Sequence, residues 1–199
     1  MGAQRAEQVT EPEPSTRPGG AQLMHRHWGE ILAVTASLAV VPIRTAGVDA
    51  WLMTALLCLS PLMAAAAVID SRYRRIPTVL TRAGLAAGTA VFVAGAFVGG
   101  DGGRLVRAGA AAATVGLVYV LLWRFASMGL GDVRLAVALG LVAGWAGWPT
   151  VGGFVVLAHL LAAPLALWRL TRRDRRQLPF GPALVAGLYL TVAASGLAS

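Results

Sequence analysis

Seven runs of apolar residues, divided by short loops rich in arginine or glycine, leave this chain few ways to fold. The runs are continuous, not striped at helical spacing, which argues for segments immersed in lipid and against a water-facing domain. The longer ones reach the roughly 20 residues that cross about 30 Å of hydrocarbon. With 57% hydrophobic and 13% charged residues, the whole chain is also too apolar for an ordinary soluble domain. The expected fold is all-α: a polytopic membrane protein of about seven transmembrane helices with short loops.

Residues 1–24 hold Glu7, Glu11 and Glu13 among prolines and end near Gly19-Gly20, so they read as a disordered cytoplasmic tail. Residues 25–199 read as a single membrane-embedded domain. The first run, Ile31 to Ile43, is short. It could serve as a signal-peptide core cleaved near Ala46–Ala50, but a long acidic tail before the basic residues favours a retained helix. The second run is Trp51 to Ile69, the third Ala83 to Val98, and the fourth Leu105 to Trp123. A fifth, short and interrupted by glycine, covers Leu135 to Trp148; the sixth, Val151 to Leu170, carries Pro164 and should kink there. The seventh follows Leu178-Pro179-Phe180-Gly181-Pro182.

Arginine sets the orientation. With the N-terminus in the cytoplasm, the inner loops hold Arg72, Arg74, Arg75, Arg124, Arg134, Arg169, Arg172, Arg173, Arg175 and Arg176. The outer loops hold Arg44, Arg104 and Arg107. The positive-inside rule selects this topology. The net charge of +8 therefore reports topology and contact with anionic lipid, and no nucleic-acid partner is expected. Cys58 is the single cysteine, so no internal disulfide and no CxxC metal knuckle can form, and neither metal nor cofactor is anticipated. Trp51, Trp123, Trp145, Trp148 and Trp168 lie near run ends, as interfacial tryptophans do.

The same topology puts Asp70 and Asp132 on one face, each where a run meets a cytoplasmic loop. An ionisable group at a membrane edge is costly and marks function by default. Two neighbouring carboxylates cannot both ionise cheaply, so one holds a proton while the other activates water. The bland alternative is an ion pair of Asp70 with Arg74 or Arg75, and of Asp132 with Arg134 or with a helix start. Asp174, within an arginine run, reads as a surface ion pair. His159, alone in an apolar run, reads as a hydrogen-bonded packing residue. Ser71 and Ser127 have no histidine base nearby, and Gly129-Leu130-Gly131 lacks the lysine of a phosphate loop.

Three stretches resemble the type IV prepilin peptidases, membrane aspartyl proteases of the GxGD group. Asp70 to Pro77 is similar to that family's first-aspartate motif. Gly129-Leu130-Gly131-Asp132-Val133-Arg134-Leu135 is similar to its GxGD motif, and Leu178 to Leu184 to the proline-phenylalanine-glycine-proline element before the last span. The resemblance covers roughly residues 50–199. It implies a catalytic pair of Asp70 and Asp132, with Gly129, Gly131, Pro77, Pro179, Gly181 and Pro182 shaping the site. It also implies a prepilin or pseudopilin substrate, cut at the cytoplasmic face of the cell membrane.

Two positions depart from the family pattern: Thr78 stands where Asn is common, and Arg134 where Lys is common. The paired CxxC motifs of bifunctional members are missing, so a peptidase without N-methyltransferase activity is expected. Presenilin-like and signal-peptide-peptidase-like proteases share GxGD, but Ile69 precedes Asp70 where they carry tyrosine. A small transporter or assembly factor that uses the aspartates for protons is the rival from outside the enzymes.

Overall fold

A computed structural model describes residues 20–44, 49–126, 128–172 and 178–197. They form eight helices and no strand: α1 (Gly20–Arg26), α2 (Trp28–Arg44), α3 (Ala50–Tyr73), α4 (Thr78–Gly99), α5 (Gly102–Ala126), α6 (Leu130–Ala146), α7 (Trp148–Thr171) and α8 (Gly181–Leu197). Each of the seven apolar runs is one helix, α2 to α8. Four of them, α3, α4, α5 and α7, are long and apolar enough to cross a membrane. Exposed apolar side chains such as Phe97, Val106, Leu117, Val156 and Leu167 face outward, as lipid-facing positions do.

Helix α1 occupies the end of the stretch expected to be a disordered tail. Leu23 explains it: this side chain is only 1% exposed and belongs to the buried core. The tail residues before Gly20, Asp174 and its expected ion pair, and the cleavage region near Ala46 lie outside the described residues.

The fifth run is not broken by its glycines. Helix α6 is continuous, and twelve of its residues are buried, from Asp132 to Trp145. It contacts α3, α4, α5, α7 and α8 and so forms the centre of the bundle. Gly140 and Gly144 lie against Val115, Ala111 and Ala108 of α5, where any side chain would collide with the neighbouring helix. Small residues that let helices approach this closely supply packing where lipid removes the hydrophobic drive. Helix α7 spans Trp148–Thr171 with Pro164 inside it.

Trp145 also departs from expectation. It is 1% exposed, stacked on Phe92 with ring centroids 4.6 Å apart, and therefore is no interfacial anchor. Its Nε1 donates to Asp49 Oδ2 at 2.9 Å. Asp49 also caps α3 by accepting from the Leu52 N–H at 3.3 Å, and pairs with Arg104 at 3.4 Å. Arg107 donates to the carbonyls of Gly144 and Trp145, which satisfies the end of α6.

This knot fastens α3, α5 and α6 at the end of the bundle away from Asp70. Asp49→Ala removes a helix cap and leaves a buried indole N–H without a partner, an expected loss of about 2–3 kcal/mol. The midpoint of thermal unfolding in detergent measures it. Burial pushes the Asp49 carboxyl up, but the Trp145 N–H, the Arg104 charge and the Leu52 N–H outweigh it and hold the carboxyl below its ordinary 3.8. The carboxylate's stabilisation is therefore complete above that pH and lost as acid titrates the folded group.

Candidate active site

At the other end of the bundle, the end of α3, the start of α6 and the start of α8 meet around one cavity of about 410 Å³. Asp70 and Asp132 both stand in its wall, with Ile76, Gly129, Gly131 and Phe180 among their neighbours. Asp70 is 4% exposed and Asp132 7%. Among the described residues, no other acidic side chain lines the cavity.

Asp70 lies in the last turn of α3, inside the helix rather than in the loop after it. The helix closes at Arg74, whose backbone is left-handed at φ 53° and whose N–H donates to the Asp70 carbonyl at 2.8 Å. A non-glycine residue is uncommon in that conformation, and here it turns the chain sharply toward Pro77, the N-cap of α4. The Asp70 side chain is held from another element altogether: the Gly181 N–H donates to Asp70 Oδ2 at 2.8 Å. A Cβ on Gly181 would sit 2.9 Å from that oxygen, so only glycine lets the backbone come so near.

Asp132 lies in the first turn of α6, whose N-cap is Gly129. Its carboxyl lies against that cap: a Cβ on Gly129 would stand 3.1 Å from Asp132 Oδ2. Oδ1 is buried with no hydrogen-bond partner among the described residues. Gly131, between cap and acid, leaves its flank open to Ile76 of the α3–α4 connection; a Cβ there would be 3.1 Å from the Ile76 Cβ. The connection after the first aspartate is thereby pressed against the helix turn that carries the second.

The ion pairs offered as the bland alternative are not seen: those found among the described residues involve neither aspartate. Arg74 and Arg75 line the cavity. Arg134 points elsewhere, donating to Thr78 Oγ1 at 2.9 Å. The two positions that depart from the family pattern are thus partners of one another, joining α6 to the start of α4. Pro77, Pro179 and Pro182 flank the cavity but are not in its wall, whereas Leu178 and Phe180 are.

His159 is a packing residue in part, its Nδ1 2.8 Å from the Val155 carbonyl, but it also lines the cavity. Tyr119, fully buried on α5, packs its ring against those of His159 and Phe180. Neither belongs to a local motif, and only the tertiary fold brings them behind Asp132. No group of three or more potential metal-ligating side chains occurs among the described residues.

Two curated relatives, each described as a prepilin leader peptidase/N-methyltransferase, come from Burkholderia pseudomallei strains 1026b and K96243. Each is 33% identical over 131 residues, covering 62% of this chain and 40% of the relative. The chain thus matches well under half the length of those relatives. No solved structure matches significantly. The family model described as the type IV leader peptidase family matches residues 56–167, a stretch that carries both aspartates and more than half of the chain. On that match, the protein belongs to the type IV leader peptidase family.

Proposed function

We propose that this chain is an aspartic-type endopeptidase of the cell membrane that removes the positively charged leader from type IV prepilins or pseudopilins. The observation that carries the reading is the convergence of two buried carboxyls, Asp70 and Asp132, on one cavity at one end of an apolar bundle. The pair shares a proton, and which member holds it is a property of the pair. The ionised carboxylate takes a proton from water as its oxygen attacks the scissile carbonyl carbon. The neutral one donates to the developing oxyanion, and collapse of the tetrahedral adduct breaks the C–N bond as the nitrogen is protonated.

Arginine asymmetry supports placing this end of the bundle at the cytoplasmic face with the N-terminus inside. A leader just outside a hydrophobic helix would meet the pair there. Methyl transfer is not expected of this chain by itself, since its one cysteine cannot form the paired CxxC motifs.

Purified protein in lipid, incubated with a prepilin from the same genome, should release the leader at one bond. N-terminal sequencing and the mass of the mature product should show that bond and no added methyl group. Folded protein that leaves every prepilin of that genome uncut would overturn the reading.

A further inference from the structure

The carboxyl pair alone does not account for the polar groups behind Asp132. The Tyr119 hydroxyl and Asp132 Oδ1 are both buried, and neither has a hydrogen-bond partner among the described residues. Buried polar atoms are nearly always satisfied, by protein or by ordered water. The packing of α5 on α6 puts Gly116 beside Val137 and Gly140 beside Val115, which brings Tyr119 within about one helical turn of Asp132.

His159 completes the group. A carbonyl only accepts, so the contact with Val155 places the proton on Nδ1 and leaves the Nε2 lone pair on the neutral ring. That ring lines the cavity and lies against Tyr119, with centroids 5.8 Å apart. A buried water is held by two to four polar partners, and hydroxyl, imidazole and carboxylate make three.

We infer that Tyr119 is a positioning residue: its hydroxyl and His159 Nε2 hold one water against Asp132 Oδ1, which fixes the orientation of that carboxyl. This rests on the reading of Asp70 and Asp132 as the catalytic pair. Unlike the aspartates, Tyr119 needs no contact with substrate. Its effect should therefore appear in turnover and in the pH response of the pair, not in substrate affinity.

Tyr119→Phe keeps the ring and removes only the oxygen, and should lower kcat roughly tenfold with KM unchanged, because small misplacements of reacting groups are costly. The pH–rate profile should be displaced and the unfolding midpoint unaltered. His159→Asn, which keeps a donor for Val155 but loses Nε2, should behave alike, while His159→Gln, which restores a polar group near Nε2, should recover part of the loss. The double variant Tyr119→Phe/His159→Asn should be no worse than either single one, as members of one network are not additive. A Tyr119→Phe enzyme with parental kcat and pH profile, or one whose loss matches its unfolded fraction, would overturn the inference. Asp132→Asn in the same assay separates the two readings. Cleavage retained there defeats the catalytic pair, whereas its loss alongside a parental Tyr119→Phe defeats only the positioning role.

Discussion

On the proposed reading, Asp70→Asn and Asp132→Asn should each lower leader cleavage roughly a thousandfold or more, while the protein should still insert and fold. The size follows from the two carboxyls acting as one device: a general base without its acid partner, or the reverse, loses most of what proton transfer contributes. Folding should survive because the amide is nearly isosteric. Asp70→Asn keeps an oxygen to accept from the Gly181 N–H. Asp132→Asn removes a buried ionisable group whose Oδ1 has no partner among the described residues. The unfolding midpoint should accordingly hold or rise, since a buried ionisable group kept for chemistry tends to cost stability. A mobility shift of co-expressed prepilin, with circular dichroism of the purified variant, reads both halves. Substantial cleavage by either variant would end the assignment of these residues.

Gly181→Ala carries the second large effect. One methyl group would stand 2.9 Å from Asp70 Oδ2 and 3.1 Å from the Asp70 Cβ. Since α3 and α8 are packed helices, the strain is relieved by moving the carboxyl or tilting the start of α8. Either displaces the acid, and a misplacement of about an ångström costs on the order of a hundredfold in rate. Turnover should fall far more than the folded fraction, with KM within a few-fold of the parent. Parental turnover would mean that the Gly181 N–H does not set the position of Asp70.

The fold was largely legible because lipid leaves one solution for an apolar run, so the seven runs mark α2 to α8 one for one. The convergence of Asp70 and Asp132 could be reached from arginine asymmetry and chain order, since parity of crossings alone puts both on one face. Other features were hidden for a physical reason. When every side of a helix is apolar, periodicity no longer separates the face turned to protein from the face turned to lipid. Trp145 is therefore indistinguishable by sequence from Trp148, though one is buried against Phe92 and the other is half exposed. Tyr119 and His159 were obscured in the same way, because their meeting depends on helix rotation. The glycines of α6 mark close packing rather than a break, which only the facing alanines of α5 reveal.

The contact of Ile76 with Gly131 has a consequence for how the gene can change its length. Between Tyr73 and Thr78 the backbone makes a left-handed turn, seats Ile76 on the open flank of Gly131 and delivers Thr78 to Arg134. One residue inserted or deleted there would throw all three out of phase, and the two acids with them. The Gly100–Asp101 turn is exposed and lies at the opposite end of the bundle, where only the rim of the Asp49 knot depends on it. Insertions in this lineage should accumulate at that turn and be purged from the connection after Asp70, whatever residues occupy either one.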